Sequence, residues 1–368
     1  MFKGRQYSTD IFDKNASLAL KGIAIILMMI HHNFRDTSLF STFSISFFPF
    51  SERSVVSFAY ACKICVSLFA FISGYGLYFS YKSSKTDSTR WFLYRYIKTF
   101  SGYWFVWGLS AVICQIINGR TSAILFKDGY ARGIINTLID FLGLHSLFST
   151  PSINGTWWYM SAAAVFIIMI PVLYQLRDSA LLVLIGSVFF IRVFHNGSSF
   201  TGGNSVYAFI TPFILGFIFA DKKLFDKILL IGEGKPSVKV YKAIVEIWLI
   251  ILLFKLYPKI PIDYFWELHF CIFPIIVIIF CVEFIVQIRS LRKILIFLGK
   301  HSMNVFLVHT FIRAYYLRDL TYSFGHFLLI SLFLLSVSIF LSVMIEQLKI
   351  LTKYNRLIDS IIISWRLV

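Results

Sequence analysis

Long apolar segments recur along the whole chain and leave few folds open to it. The sequence is 58% hydrophobic and 14% charged, whereas a typical soluble domain carries roughly 25% charged residues. A membrane-spanning helix needs about 20 predominantly apolar residues. We therefore predict an all-α polytopic membrane protein with about ten transmembrane helices, at residues 17–33, 54–81, 100–118, 156–176, 180–195, 204–220, 242–257, 264–287, 296–317 and 325–348.

Basic residues are distributed unevenly between the segments that join these spans. If the N-terminus is cytoplasmic, most lysines and arginines fall on inner segments, of which 82–98 and 222–242 are the richest. Cytoplasmic loops of membrane proteins carry such an excess, so we predict that the N- and C-termini both lie inside. The same bias accounts for the net charge of +17, and we expect no nucleic-acid partner. We assign residues 1–350 to one integral-membrane domain and residues 351–368 to a cytoplasmic C-terminal tail.

Two further features are consistent with structural roles. The longest outer segment, 119–155, contains the apolar stretch 134–147, which we predict to form an interfacial or re-entrant helix. Cys62 and Cys65 have a redox-like spacing, but they lie in a span and have no second pair. We therefore expect buried free thiols rather than a redox or metal site.

The first span contains polar groups that packing alone does not require. Lys21 opens it and His31-His32 closes it. Eleven helical steps of about 100° return His32 to within roughly 20° of Lys21, so both lie on one face, about 16 Å apart. A lysine at a span end can simply extend to the interface, and a histidine there can lie among lipid headgroups. Two such groups on one face favour a polar cavity, in which histidine is a suitable general base.

The ninth span carries a second group of candidates. Ser302 and His309 are seven residues apart and share a helical face, and Arg313 follows four residues later. His309 lies at a depth similar to that of His32, so the two histidines are candidates for lining one cavity. A packed, hydrogen-bonded His309 fits the same spacing. We include Arg313 and His31 among the binding candidates.

Three shorter motifs give weaker signals, because each also has an ordinary structural explanation. Glycines beside Ser73 and Tyr75 indicate close helix packing or close approach to a ligand. A basic loop and an aromatic start of the fourth span fit the positive-inside bias and interfacial anchoring, although a basic loop can also hold a phosphorylated donor. The binding candidates from these motifs are Ser73, Tyr75, Arg90, Arg95, Lys98, Trp157, Trp158 and Tyr159.

Taken together, these stretches resemble the acyltransferase family 3 membrane proteins, which O-acetylate bacterial surface polysaccharides. In that family the first span begins with an arginine, runs ten residues and ends in an essential histidine. Lys21 and His32 have this spacing, so the resemblance assigns the catalytic position to His32 rather than His31. Residues 73–76, the basic stretch through Arg95, and residues 156–159 and 298–309 are similar to further family landmarks.

The sequence departs from the family pattern at two points. Lys21 replaces the arginine, which keeps the charge but loses the forked, bidentate geometry. Many members carry a glutamate just after the tryptophan motif of the fourth span, whereas this chain has Ser161-Ala162-Ala163-Ala164 there. An acidic partner for His32 is therefore not expected from that span.

The resemblance implies an O-acyltransferase in the plasma membrane of a bacterium, which moves an acetyl group from cytosolic acetyl-CoA to a hydroxyl of a cell-surface or exported polysaccharide. The expected partners are acetyl-CoA, a carbohydrate acceptor and the lipid bilayer, with no permanently bound cofactor. His32 would act as general base or transient acyl carrier, and Lys21 would guide the donor. The residues expected to hold the CoA phosphates are Arg90, Arg95 and Lys98, and those expected to position the acceptor are Ser302 and His309.

Two other classes of membrane protein stay open at this point. A multi-span transporter or flippase would also place polar groups in its spans, but it predicts two similar halves, which we do not find in the sequence. A polymerase for a lipid-linked glycan would place acidic or arginine-rich motifs in a long outer loop, whereas segment 119–155 has few such residues.

Overall fold

The fold is helical throughout the residues that the computed structural model describes, which are 12–193, 205–261, 265–365 and 367. The β-pairing within these residues is an isolated parallel bridge between Ser46 and His326. The α-helices are α1 Lys14–Phe34, α2 Glu52–Ala61, α3 Ile64–Lys82, α4 Ser88–Asn118, α5 Arg120–Leu125, α6 Tyr130–Phe141, α7 His145–Phe148, α8 Trp158–Gln175, α9 Ala180–Val193, α10 Ile210–Asp221, α11 Leu224–Leu229, α12 Pro236–Leu256, α13 Phe273–Phe280, α14 Arg289–Thr310, α15 Arg318–Tyr322, α16 Phe327–Leu351 and α17 Tyr354–Ser364.

The predicted all-α polytopic membrane fold is confirmed. Among the described residues, seven helical stretches are long and apolar enough to cross a membrane: Lys14–Phe34, Glu52–Lys82, Ser88–Asn118, Gly155–Gln175, Leu268–Ile285, Arg289–Tyr316 and Phe327–Leu351. The other three predicted segments fall on α9 and α10, which are short, and on α12, which carries Lys239, Lys242 and Glu246. The ends of predicted segments 180–195, 204–220 and 264–287 lie outside the described residues. The count of ten spans and the inside position of both termini stay predictions.

Three glycines bring the central helices into direct backbone contact. A Cβ atom on Gly22 of α1 would overlap the carbonyl oxygen of Leu295 in α14, and one on Gly299 would overlap that of Leu18. Gly74 of α3 meets α10 in the same way, against the carbonyl of Phe213. Small residues permit such approach because no side chain separates the backbones. The result is a tightly packed centre around which the other spans are arranged.

The outer segment forms α5, α6 and α7. The single helix predicted over 134–147 is divided in the structure, because α6 ends at Phe141 and α7 begins at His145; its interfacial or re-entrant position stays a prediction. The apolar side chains of α6 are exposed, as at Ile134, Ile135 and Leu138, whereas Asp140 is buried. The Asp140 carboxylate accepts hydrogen bonds from Trp107 Nε1 of α4 at 2.9 Å and from the backbone of Ile153 at 3.3 Å. Asp140 therefore ties the outer segment both to α4 and to the chain that enters α8.

Asp140 faces His145 across 3.5 Å, measured from carboxylate Oδ1 to imidazole Nδ1. Burial raises the pKa of Asp140 to about 6, and burial lowers the pKa of His145 to about 4. Near neutral pH the pair therefore consists of a carboxylate and an uncharged imidazole.

The C-terminal segment also packs on α4. Ile358 and Ile362 of α17 form an apolar cluster with Ile97, and the Tyr354 hydroxyl donates to the carbonyl of Ser101 at 2.8 Å. The part of predicted tail 351–368 that the structure describes is thus a helix held against the membrane domain.

The glycine contacts yield a test of packing. Gly22→Ala places a methyl group against the Leu295 backbone, which cannot move without shifting α14. Overpacking of this kind costs about 1–3 kcal/mol, so the melting temperature of the purified protein in detergent should fall. Gly108→Ala is the matched control, because a Cβ there meets open space. An unchanged melting temperature in Gly22→Ala would contradict the close α1–α14 contact.

Asp140 yields a test of pH dependence. Because its pKa in the folded protein is about 6, the folded state keeps a proton at pH values where the unfolded chain has lost it. The residue therefore favours folding less as the pH rises from 4 to 7. Asp140→Asn removes this effect. The melting temperature of the variant minus that of the unaltered protein should therefore increase from pH 4 to pH 7. Asp128→Asn, at an exposed site of the same segment, is the control. A melting-temperature difference between Asp140→Asn and the unaltered protein that stays constant with pH would refute the raised pKa of Asp140.

Candidate active site

One face of α1 lines a cavity of about 260 Å³ between the central helices. Lys21, Met28, His31 and His32 all line it, while Ile25 lies in the apolar core. The helix is capped by Asp13, whose carboxylate accepts from the backbone N–H of Ala16, and Gly22 holds it against α14. The structure thus places Lys21 and His32 on one cavity, as the helical spacing predicted.

His32 is surrounded by basic groups. Its ring lies 4.8 Å from that of His309 and 5.1 Å from that of His31, between centroids. Lys63 and Arg313 are the other charged groups that act on it. Within the described residues the His32 imidazole makes no hydrogen bond, so its nitrogens are available to a substrate.

His31 has a different role from its neighbour. Its Nδ1 lies 2.9 Å from the carbonyl oxygen of Ala59 in α2. Because a carbonyl only accepts, Nδ1 carries the proton and Nε2 is free to accept from Arg35 Nη1 at 3.5 Å. His31 therefore connects α1 to α2, which leaves His32 as the histidine with an unengaged ring.

His309 lies behind His32 and is fully buried. Its Nδ1 donates to the carbonyl of Phe306 at 2.8 Å, and its Nε2 accepts from the Thr310 hydroxyl at 3.2 Å. Thr310 continues to Thr156, with 3.1 Å between the hydroxyl oxygens. Both ring nitrogens are therefore engaged, and the structure favours the packed, hydrogen-bonded alternative for His309.

Six of the other predicted binding residues reach the cavity. Trp158 and Tyr159 supply aromatic walls, and Arg95 lies near Lys21, close enough for their charges to interact. The full set is His31, Ser73, Arg95, Trp158, Tyr159 and Ser302.

Of the other predicted binding residues, His309 lies behind His32, and Arg313 is buried beside Tyr322 and does not line the cavity. The remaining four lie elsewhere. Tyr75 packs against the rings of Phe12 and Phe225. Trp157 is buried and its indole N–H donates to the carbonyl of Leu307 at 3.0 Å. Arg90 is exposed and pairs with Asp87 at 3.3 Å. These three have structural contacts away from the cavity, and the fourth, Lys98, lines a neighbouring one.

This second cavity, of about 240 Å³, lies between α4, α14, α16 and α17. Lys98, Lys300 and Lys349 line it. Lys98 pairs with Asp359 at 2.8 Å and Lys349 with Glu346 at 2.7 Å. Thr99 and Met303 line both cavities. The lysine-lined space therefore adjoins the main cavity at these two residues.

Lys63 is the cavity residue that the sequence reasoning missed. It occupies the break between α2 and α3 and is only 7% exposed. In the sequence it is a lone lysine inside an otherwise apolar span, which is a signal of a polar environment. Its position beside His31 and His32 depends on how α2 and α3 pack against α1, which one sequence does not reveal.

No carboxylate is found beside His32 among residues 12–193, 205–261 and 265–365. Ser161 lies close to the position at which many members of the family carry a glutamate. Its hydroxyl donates to the carbonyl of Gly143 at 2.8 Å. All five cysteines are free thiols, and the described chain holds no cluster of metal-ligating side chains.

Comparison with known proteins agrees with the resemblance in the sequence. A family model described as an acyltransferase domain matches residues 16–347, nearly the whole chain. No curated protein and no solved structure gives a match. This match favours an acyltransferase over the two alternatives, a transporter or flippase and a glycan polymerase. The chain belongs to the acyltransferase 3 family and is a membrane acyltransferase.

Proposed function

We propose that the protein transfers an acetyl group from cytosolic acetyl-CoA to a hydroxyl of a cell-surface or exported polysaccharide, in the plasma membrane of a bacterium. The observation that carries this proposal is the shared cavity of Lys21 and His32. With the N-terminus inside, Lys21 lies toward the cytosol and His32 toward the outer face. The cavity then offers a donor and an acceptor one meeting point within the membrane.

The donor would enter through the lysine-lined cavity. Phosphate groups pair well with lysine as a point charge. Lys300 offers such a charge, and Lys98 and Lys349, which pair with Asp359 and Glu346, line the same cavity. The pantetheine arm would pass Thr99 and Met303 into the main cavity, where Lys21 and Arg95 lie. The expected phosphate-binding set of Arg90, Arg95 and Lys98 is thereby revised, because Arg90 lies outside both cavities.

The reacting groups would meet at His32. In one route the imidazole takes the proton of the acceptor hydroxyl while the hydroxyl oxygen attacks the thioester carbonyl. The carbon–oxygen bond forms, the carbon–sulfur bond breaks, and the proton returns to the departing thiolate. In the other route the unprotonated ring nitrogen attacks the thioester carbonyl, the carbon–sulfur bond breaks, and the proton of the other ring nitrogen leaves with the CoA thiolate. The acetyl group then passes from nitrogen to the acceptor oxygen, whose proton returns to the imidazole. The unengaged ring of His32 suits both routes.

The acceptor would lie against the aromatic wall. Trp158 and Tyr159 line the cavity near Thr156, and an aromatic ring presents a flat apolar face to the C–H side of a sugar ring. This arrangement is compatible with a carbohydrate and leaves a hydroxyl free to face His32.

His32→Ala tests the catalytic assignment. Loss of a general base lowers the rate by about 100- to 10,000-fold. Inverted membrane vesicles supplied with radiolabelled acetyl-CoA should therefore transfer little label to glycan. His326→Gln, which changes a histidine away from the cavity, should retain transfer. Undiminished glycan acetylation by inserted His32→Ala protein would remove the proposal, and label retained on the unaltered protein without acceptor would select the acyl-carrier route.

Lys300→Gln tests the donor route. Loss of one lysine–phosphate contact should raise the KM for acetyl-CoA about 3- to 10-fold, with kcat nearly unchanged. Acetyl-pantetheine lacks the nucleotide, so its KM should not change. Lys227→Gln removes an exposed charge from α11 and serves as control. Equal effects on both donors would place the nucleotide elsewhere.

A further inference from the structure

Helix α17 forms one wall of the lysine-lined cavity. Tyr354 and Asn355, at the start of the helix, line this space together with residues of α4, α14 and α16. The Tyr354 hydroxyl donates to the carbonyl of Ser101 in α4 at 2.8 Å, and the Tyr354 ring lies 4.9 Å from that of Phe105, between centroids. A donor whose phosphates occupy this cavity would therefore lie directly against α17.

The same helix neutralises one of the lysines that such a donor would contact. Asp359 Oδ1 lies 2.8 Å from Lys98 Nζ, and Lys98 lines the cavity. The Asp359 and Lys98 side chains are 57% and 40% exposed, and an ion pair that water reaches in this way is weak. A phosphate group carries more negative charge than a carboxylate, so a phosphate in the cavity can displace Asp359 from Lys98.

Apolar contacts hold the rest of α17 against α4. Ile358 and Ile362 form a cluster with Ile97. The helix has 11 residues, and an isolated helix of fewer than about 12–15 residues is only marginally stable in water. Displacement of α17 from α4 should therefore open its backbone hydrogen bonds to the solvent.

The junction between α16 and α17 provides a hinge for such a displacement. It consists of Thr352 and Lys353, and Lys353 has a φ of 55°. This left-handed conformation is strained for a residue with a side chain. A movement of α17 away from α4 changes the backbone angles at this junction and can relieve the strain.

We propose that α17 is a gate over the donor cavity, which the Asp359–Lys98 ion pair holds shut and which opens when phosphates of acetyl-CoA replace Asp359 at Lys98. This inference rests on the proposed function. Asp359 thereby competes with the donor and raises the concentration of CoA that is needed to fill the cavity.

The alternative explanation is that α17 is a fixed wall that adds contacts to the bound donor. Loss of the Asp359 charge would favour phosphate binding in both cases, because a negative charge leaves the cavity edge. The two explanations differ in what CoA does to the helix. A gate becomes looser when CoA binds, whereas a fixed wall stays unchanged or becomes better protected.

The first arm of the test measures hydrogen–deuterium exchange of residues 354–364 in the full-length protein in detergent. We expect saturating CoA to make this exchange about 2- to 5-fold faster, because the closed position then loses one exposed ion pair. Asp359→Asn should produce an increase of similar size without CoA. Asp359→Glu keeps the charge and should exchange like the unaltered protein, as should Glu233→Gln, which removes an exposed charge from segment 222–242.

The second arm measures CoA binding by isothermal titration calorimetry, which does not depend on acetyl transfer. Asp359→Asn should lower the Kd for CoA about 2- to 5-fold, and Asp359→Glu and Glu233→Gln should leave it unchanged. CoA binding that leaves the exchange of α17 unchanged or slower would overturn the proposal, as would unchanged exchange in Asp359→Asn. Absence of CoA binding to the unaltered protein would instead contradict the proposed function, and the exchange of Asp359→Asn, which needs no CoA, separates that result from a failure of the gate.

Discussion

The backbone contact between α1 and α14 determines where every reactive group can lie. Gly22 and Gly299 leave no space for side chains between the two helices, so the rotation of α1 is fixed within narrow limits. The face that carries Lys21 and His32 is consequently turned toward the cavity, to whose wall α14 contributes Ser302. A rotation of α1 by one residue would place its apolar core face there instead. The glycine contacts of α1 therefore set the direction in which Lys21 and His32 point.

The second constraint is electrostatic. Within the part of the chain that the structure describes, the groups that face His32 are basic or neutral, and small residues occupy the family's usual acidic position. Many hydrolytic triads orient their histidine with a carboxylate, but none of the described carboxylates does so for His32. Its ring is held by contact with His309, which is itself fixed through Thr310 and Thr156. This chain of contacts can supply the orientation that a carboxylate would otherwise provide.

Much of the fold and part of the site follow from local sequence periodicity. The helical repeat was enough to place Lys21 and His32 on one face, and the apolar runs were enough to predict the polytopic fold. Other features depend on contacts between distant segments. Gly74 is a packing glycine, whereas Gly76 beside it lines the cavity, and no local pattern separates the two. The position of Lys63 likewise follows from the packing of α2 and α3 on α1.

Solvent access along α1 distinguishes a shared aqueous cavity from a packed interior. Single cysteines at positions 21, 32 and 26, in a protein whose native cysteines are replaced by alanine, can be reacted with a small water-soluble methanethiosulfonate. Ile26 lies on the exposed outer face of the helix, which we assign to lipid. We predict that cysteines in place of Lys21 and His32 react and that the one in place of Ile26 does not. Protection of either of the first two positions, or equal reaction at all three, would contradict a shared aqueous cavity.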